Sequence, residues 1–248
     1  MNTGIRRSLP AIVLLLLFAL AVVSAASIAF AAPEGVFNIS IVSSERKPAP
    51  GGAPVTAQGG NITRLNITVR SQTIAWQGFA GNISGNIILD DASSDRFYSW
   101  NLTNISGEIY FSRNTSLNFN NVFPQNNCTI DEALTGTRTD RVSRTYFNNT
   151  NSVNFSVGNI AINTSTACAT RPFVNSTAQA TLFENIILSA ETNNPANFSV
   201  GGNQSIYVGI LQDLGTAGFD SQYYNFQVLV PVNRTSGFTT YYVYAEVD

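Results

Sequence analysis

The stretch Thr73–Asp91, TIAWQGFAGNISGNIILDD, contains the clearest indication of the fold. Trp76 follows an apolar lead-in, glycines occupy positions 78, 81 and 85, and the run Ile87-Ile88-Leu89 comes after them. Because glycine adopts positive φ without strain, the pattern predicts a strand, a tight glycine turn and a second strand. Trp76 is predicted to pack into the core beside this turn, as tryptophan in β-proteins usually does. A ligand-binding corner is the alternative interpretation.

Short strand patterns recur along the rest of the chain. After the first 31 residues, helical character is confined to Thr129–Leu134, where Thr129 and Glu132 have capping-box spacing. Many short strands predict an all-β fold that resembles a β-sandwich, and the polar region 92–150 predicts long loops that decorate it. Alternating or short apolar runs bounded by turn residues predict strands at 65–70, 72–77, 83–89, 106–112, 152–156, 159–163, 180–189, 204–211, 223–231 and 238–247.

The amino-terminal residues have the composition of a targeting segment. Arg6 and Arg7 precede the apolar run Ala11–Val23, and small residues follow it. This layout predicts a signal helix over 1–31 or an uncleaved membrane anchor within 9–32, and it also resembles an archaeal type IV pilin leader. Under each interpretation the residues after 33 lie outside the cytoplasm, either secreted or at the cell surface.

Residues 33–60 are predicted to form an amino-terminal strand and a linker, ahead of a sandwich domain at 61–248. The strand Val36–Val42, VFNISIV, has apolar residues at its odd-numbered positions, which would share one face. The following residues 47–60 are rich in proline, glycine and alanine, as linkers are. The strand is predicted to pair within its own chain, and its exchange into a neighbouring subunit is the alternative.

Acceptor triplets for N-glycosylation, Asn-x-Ser/Thr, occur fifteen times, although random placement of the same residues predicts about five. In a strand, the asparagine and the hydroxyl residue of a triplet share one face, while an apolar middle residue points to the other. A triplet can therefore supply an acceptor and a core residue at once. The predicted glycan sites are Asn38, Asn61, Asn66, Asn82, Asn101, Asn104, Asn114, Asn127, Asn148, Asn154, Asn163, Asn175, Asn197, Asn203 and Asn233.

The composition supports an extracytoplasmic protein. Charged residues make up 11% of the chain, against about 25% in average domains, so glycans are expected to supply solubility. The net charge of −2 and the lack of basic runs argue against nucleic acid as a partner. The two cysteines, Cys128 and Cys168, are predicted to form a disulfide in an oxidising compartment.

Residues suited to catalysis are scarce. The chain has no histidine, Lys47 is its single lysine, and the spacing of its carboxylates singles out no catalytic pair. We therefore expect no enzyme, no catalytic residue and no cofactor. Asp90, Asp91 and Asp95 form an oxygen-rich group that suits calcium, but aspartates after strands usually form turns, so no metal site is assigned.

Two stretches of the chain resemble an uncharacterised family of secreted archaeal cell-surface glycoproteins. One is the Trp-Gln-Gly and Gly-Asn-x-Ser-Gly corner within Thr73–Asp91. The other is Ala217–Val247, in which an NFQVLVP strand precedes a terminal YYVY strand. The similarity extends loosely from Gly59 to the end of the chain. It implies an archaeal envelope setting and adds no catalytic residue.

These patterns predict a structural or adhesive glycoprotein of an archaeal cell surface, with envelope components or copies of itself as partners. One alternative is a filament subunit that assembles by exchange of strand 36–42. The other is a carbohydrate-binding module that stacks sugars on Trp76, Trp100 or the pair Tyr223 and Tyr224. Contact with a membrane is expected only through residues 9–32, if they remain uncleaved.

Overall fold

The computed structural model describes residues 32–103, 105–148, 153–179, 181–190, 204–213 and 215–247. The described residues belong to one compact unit that begins at Ala32. Fourteen strands and two short helices follow one another along these described residues. They are β1 (Glu34–Gly35), β2 (Trp76–Gly81), β3 (Asn86–Asp90), β4 (Arg96–Asn101), β5 (Gly107–Ser112), β6 (Phe123–Pro124), α1 (Glu132–Thr135), α2 (Val142–Thr145), β7 (Phe147–Asn148), β8 (Phe155–Val157), β9 (Ile160–Ile162), β10 (Cys168–Thr170), β11 (Asn185–Ser189), β12 (Ser205–Ile210), β13 (Phe226–Pro231) and β14 (Tyr242–Val247).

The strands form one large antiparallel sheet and three two-stranded ladders. The large sheet has eight strands in the order β1-β14-β5-β12-β11-β10-β7, with β6 also paired to β11. The ladders are β2–β13, β3–β4 and β8–β9, and every pairing is antiparallel. The predicted all-β fold is therefore confirmed.

The large sheet is buried on both faces, which explains why its central strands are apolar without alternation. β11 reads NIILS and β12 reads SIYVGI, and nearly every residue in them is buried. On one face, β13 contributes Val228 and Val230 to a core that contains Ile109, Phe111, Ile187 and Tyr207. On the other face, β8 and β9 contribute Val157 and Ile162 to a core that contains Tyr110, Ile186, Leu188 and Val208.

The predicted disulfide is confirmed. Cys128 and Cys168 are bonded, with Cα atoms 5.5 Å apart, and the bond connects the segment before α1 to β10. The predicted helical turn is also present, but the capping box is not. The N-cap residue of α1 is Asp131, and no side chain caps the helix. The Glu132 carboxylate instead accepts a hydrogen bond from Ser143 N–H at 3.2 Å, which ties α1 to α2.

Two predicted strands are wrong. Residues 36–42 and 65–70 contain no strand, and every residue from 37 to 74 is exposed. A strand requires a neighbouring strand, and none lies beside these segments in the described part of the chain. Within 92–150 the strand predicted at 106–112 is confirmed as β5, but the loops predicted around it are wrong in part, because β4 and two short helices lie there. Burial of the apolar run Ile109-Tyr110-Phe111 favours a strand here, although the surrounding sequence is polar.

The glycines near Trp76 do not form the predicted turn. Gly78 and Gly81 lie within β2, and neither they nor Gly85 has positive φ. Residues 82–85 connect β2 to β3 and belong to neither strand. A Cβ atom at Gly81 would lie 3.1 Å from the Phe226 ring, so this glycine permits a close approach, whereas a Cβ at Gly78 would meet nothing within 4 Å.

The leader predicted over residues 1–31, including its signal-helix and anchor interpretations, lies outside the described residues. Among the residues that are described, no helix is long and apolar enough to cross a membrane.

Candidate assembly site: an exposed arm and an open strand edge

The most unusual feature of the structure is an exposed segment between β1 and β2. We call residues 37–74 the arm. It contains neither strand nor helix, and Val42 and Ile62 are 96% and 97% exposed. Soluble proteins rarely leave so many apolar side chains in water along one segment. The large apolar side chains exposed in the arm are Phe37, Ile39, Ile41, Val42, Val55, Ile62, Leu65, Ile67, Val69 and Ile74.

The arm is attached to the body at both ends. At its start, β1 pairs with β14, and Val36 N–H donates to Val243 O at 3.3 Å. At its end, Thr73 Oγ1 donates to Asp140 Oδ2 at 2.6 Å, and Ala75, two residues farther on, is buried. The indole N–H of Trp76 donates to the backbone carbonyl of Asp140. The arm is therefore a loop with fixed ends and a solvated middle.

The arm and the body carry opposite charge. Residues 37–74 contain four basic groups and one acidic group, which gives a net charge of +3. Residues 75–248 contain seven basic and thirteen acidic groups, which gives −6. Surfaces of opposite net charge attract each other at low ionic strength.

One edge of β2 has no neighbouring strand in the part of the chain that the structure describes, and we call it open. Val232 N–H donates to Ala75 O at 2.8 Å in the register that pairs Pro231 with Trp76. Since backbone direction alternates along an antiparallel strand, Trp76, Gly78 and Ala80 direct their N–H and C=O groups away from β13. Among the described residues, the one partner of these groups is the exposed side chain of Gln77, which donates to Gly78 O at 2.7 Å.

The opposite edge of this ladder is closed by side chains. Leu229 N–H donates to Asn185 Oδ1 at 2.8 Å, and Asn185 Nδ2 donates to Gln227 O at 2.7 Å. Tyr146 donates its hydroxyl proton to Leu229 O at 2.6 Å. The β2–β13 ladder can therefore accept another strand beside β2 but not beside β13.

The contacts of this ladder show where the open edge lies over the large sheet. Asn185 of β11 holds the closed edge, and Val228 of β13 lies directly over Gly209 of β12. Phe79 of β2 stacks on Phe111 of β5, with ring centroids 5.1 Å apart. The order β11-β12-β5 under the ladder continues to β14. The open edge of β2 therefore faces the space above β14.

Apolar side chains line this space. Val243 pairs with Phe111 across the β14–β5 register, so the two side chains share a face, and Val247 lies farther along that face. Both valines pack against the core but remain half-buried. Phe79 is 37% exposed beside them. We call this space, bounded by the open edge of β2 and by Phe79, Val243 and Val247, the groove.

The aromatic residues considered for sugar binding lie apart. Trp76 is half-buried against Tyr146 and does not form a ligand corner with the glycines. Trp100 is 50% exposed on β4 and contacts Tyr98, with ring centroids 4.7 Å apart. Tyr223 and Tyr224 lie in the segment before β13, where the Tyr224 ring stacks on Phe219. The three alternatives lie in separate parts of the structure, and Trp100 is the more exposed of the two tryptophans.

The aspartates considered for calcium form the turn between β3 and β4. Asp91 Oδ1 accepts hydrogen bonds from Ser93 N–H and Asp95 N–H, each at 2.8 Å. Asp90 pairs with Arg96 at 3.2 Å. In the part of the chain that the structure describes, no group of three or more His, Cys, Asp or Glu side chains is arranged to hold a metal ion.

Two buried carboxylates, Asp131 and Glu184, form interior ion pairs. Asp131 accepts from Arg113 Nη2 at 2.5 Å and from the Tyr207 hydroxyl at 2.8 Å. Glu184 lies 3.0 Å from Arg171 Nη2. Burial raises the pKa of the Glu184 carboxyl, although the ion pair with Arg171 acts in the opposite direction. These pairs connect neighbouring elements within the core, where they hold loops against the sheets.

The acceptor asparagines lie at the surface wherever the structure describes them. Ten of the twelve described acceptors are exposed, and Asn114 and Asn233 are half-buried. The two fully buried asparagines, Asn185 and Asn225, belong to no acceptor triplet. The acceptors Asn104, Asn197 and Asn203 lie outside the described residues.

Several acceptor amides are oriented by backbone donors. The Oδ1 atoms of Asn127, Asn163 and Asn233 accept N–H bonds from the third residue of their own triplets, at 2.9 to 3.2 Å. Since an N–H group can donate only to the oxygen, Nδ2, the atom that carries a glycan, points the other way. Asn114 Oδ1 accepts the same bond, from Ser116 N–H at 2.9 Å, but its Nδ2 also donates to Gln204 Oε1 at 3.5 Å.

No family model, curated protein or solved structure matches this chain. Functional inference therefore depends on the arm, the groove and the acceptor asparagines. Sequence patterns indicated the apolar alternation of the arm and the surface asparagines. They did not indicate the open edge of β2. Residues far away in the sequence, such as Asn185, more than a hundred positions after β2, determine which edge of the ladder is covered.

Proposed function

We propose that this protein is a structural subunit of an archaeal cell exterior that assembles with copies of itself through the arm. The observation that carries the proposal is the exposure of ten large apolar side chains along residues 37–74. Each such side chain contributes about 1.5–3 kcal/mol when it moves from water into an apolar contact. Contact with a partner that covers even part of the arm is therefore strongly favourable. Other copies of the same protein are always present to act as that partner.

The extracytoplasmic location rests on two features. The Cys128–Cys168 disulfide supports it, because disulfides persist in oxidising compartments. The leader sequence at residues 1–31 supports it independently. The resemblance of Thr73–Asp91 and Ala217–Val247 to archaeal envelope proteins suggests the kind of cell.

N-glycosylation belongs to the same proposal. The excess of acceptor triplets and the exposure of the described acceptors support it. Glycans on these asparagines would solvate a surface that has few charges and would cover parts of the sandwich-like body that do not take part in assembly. Mass spectrometry of the native protein tests this point. Occupancy at fewer than about five of the fifteen sites, the number expected by chance, contradicts it.

Assembly is tested with the secreted chain at increasing concentration. Analytical ultracentrifugation and negative-stain electron microscopy are expected to show oligomers or filaments of the intact protein. A variant in which residues 38–72 are replaced by a short Gly-Ser linker should remain folded and monomeric, because the arm makes few contacts with the body. An intact protein that stays monomeric at high concentration, with its arm uncleaved, contradicts the proposal.

A carbohydrate-binding role is the second candidate, favoured by the half-exposed pair of Trp100 and Tyr98 on β4. Exposed tryptophan rings stack on sugar rings through their apolar faces. Glycan-array binding that disappears in Trp100→Ala and persists in Phe97→Ala would support this role. An array with no bound glycan would remove it.

A further inference from the structure

We propose that the segment Val36–Val42 of one copy enters the groove of a second copy and adds as a third strand beside β2. This inference rests on the proposed self-assembly and specifies its donor and its acceptor. Strand addition to an open edge is a general mode of recognition, in which main-chain hydrogen bonds give affinity and alternate side chains give specificity.

The backbones match in length and in bonding groups. Trp76, Gly78 and Ala80 offer three N–H and three C=O groups at the open edge of β2. The six residues of β2 span about 20 Å, and the seven residues of Val36–Val42 span about 23 Å when extended. Gly78 and Ala80 have small side chains, which leave the edge accessible to an incoming backbone.

The side chains match as well. In an extended Val36–Val42 segment, Phe37, Ile39 and Ile41 point to one face, and Asn38 and Ser40 point to the other. The apolar face meets the floor of the groove at Val243 and Val247. The polar face remains in water, so a glycan on Asn38 is compatible with strand addition.

The donor is another copy, because Phe37 and Asn38 cannot lie in the groove of their own chain. Val36 is bonded to Val243 at the outer edge of β14, within the plane of the large sheet. A second layer lies about 10 Å above such a sheet, which is three extended residues away. Phe37 and Asn38 of the same copy would be used up in reaching the groove, whereas those of a second copy enter it directly.

The choice of segment follows from charge. Val36–Val42 contains no charged residue, as suits an apolar groove. The other alternating segment of the arm, Leu65–Val69, lies between Arg64 and Arg70, and burial of either guanidinium would carry a desolvation cost. The basic residues of the arm remain outside the groove, where the net negative charge of the neighbouring body attracts them.

Two complementary variants test the donor and the acceptor separately. Ile39→Asp with Ile41→Asp removes the donor face, and both side chains are exposed in the single chain, so its fold is unaffected. Gly78→Pro removes an N–H from the open edge and leaves the bonds to β13 in place. Ile67→Asp with Val69→Asp is the matched control in the arm. Circular dichroism and thermal unfolding establish that each variant is folded, and Ala80→Pro replaces Gly78→Pro if that variant does not fold.

We expect the wild type and the control to assemble, and the donor and acceptor variants each to remain monomeric. An equimolar mixture of the two variants should form dimers and stop there, because it contains one intact donor and one intact acceptor per pair. Assembly of the wild type with unchanged assembly of both variants overturns this inference and leaves the proposed function intact. Loss of assembly in the control identifies Leu65–Val69 as the donor and also overturns it. A monomeric wild type overturns both proposals.

Discussion

The side chain of Asn185, on β11, binds the backbone of Leu229, on β13, with Leu229 N–H 2.8 Å from Oδ1. The same amide donates through Nδ2 to Gln227 O at 2.7 Å. One buried side chain therefore substitutes for a neighbouring strand along this edge of β13. It fixes the β2–β13 ladder over the large sheet and leaves β2 with the edge that can accept a further strand.

Replacement of Asn185 by leucine is expected to destabilise the body by about 2–4 kcal/mol. The substitution leaves Leu229 N–H and Gln227 O buried without their partners, and each such loss costs about 1–3 kcal/mol. Urea unfolding followed by circular dichroism measures the change. Asn120→Ala is the control, because Asn120 is exposed and should change stability by less than about 0.5 kcal/mol. Equal stability of the two variants would show that Asn185 does not support β13.

A methyl group added at Gly209 is expected to destabilise the body by about 1–3 kcal/mol, since it would overlap Val228, the residue that seats β13 on β12. The same substitution at Gly78 should be nearly neutral, because a Cβ there meets nothing within 4 Å. Thermal unfolding of Gly209→Ala and Gly78→Ala compares the two. A larger loss of stability in Gly78→Ala than in Gly209→Ala would support the tight turn that the sequence predicted near Trp76.

Reduction of the disulfide is expected to lower the free energy of unfolding by about 4 kcal/mol. Cys128 and Cys168 are 40 residues apart, and opening a loop of this size restores that much chain entropy to the unfolded state. Differential scanning calorimetry with and without a reductant measures the effect. The variant with both cysteines changed to serine is the control, and it should be insensitive to the reductant.

Three buried tyrosines and the partly buried Tyr241 make the fold sensitive to alkaline pH. Burial raises the pKa values of Tyr110, Tyr146, Tyr207 and Tyr241 above that of an ordinary phenol. The folded state therefore holds these phenol protons more tightly than the unfolded chain, in which tyrosines ionise at about pH 10. Stability is fully present below that pH and falls above it.

Absorbance at 295 nm during an alkaline titration checks this prediction. Part of the signal of the nine tyrosines should appear only in a late, steep step that coincides with loss of circular dichroism. Gradual ionisation of all nine in a chain that stays folded would contradict it. Tyr146→Phe should reduce the late step by about one tyrosine, and it also removes the hydroxyl bonded to Leu229 O.

Local patterns in the sequence determined the all-β class, the pairing of the two cysteines and most strands of the body. Apolar runs such as Ile186-Ile187-Leu188 are extended and buried because the chain has neighbours for them on both sides and on both faces. The surface position of the described acceptor asparagines was also predictable, since a polar amide without buried partners remains in water.

Tertiary structure alone decided which extended segments become strands. Val36–Val42 alternates as clearly as β14 does, yet β14 lies beside β5 and the other segment lies in water. An alternating pattern defines which side chains share a face, but the hydrogen bonds of a strand come from residues far away in the sequence. For the same reason, Gly78 belongs to an open strand edge and not to a turn. Its pairing with Leu229 in the β2–β13 register directs its N–H and C=O groups away from β13.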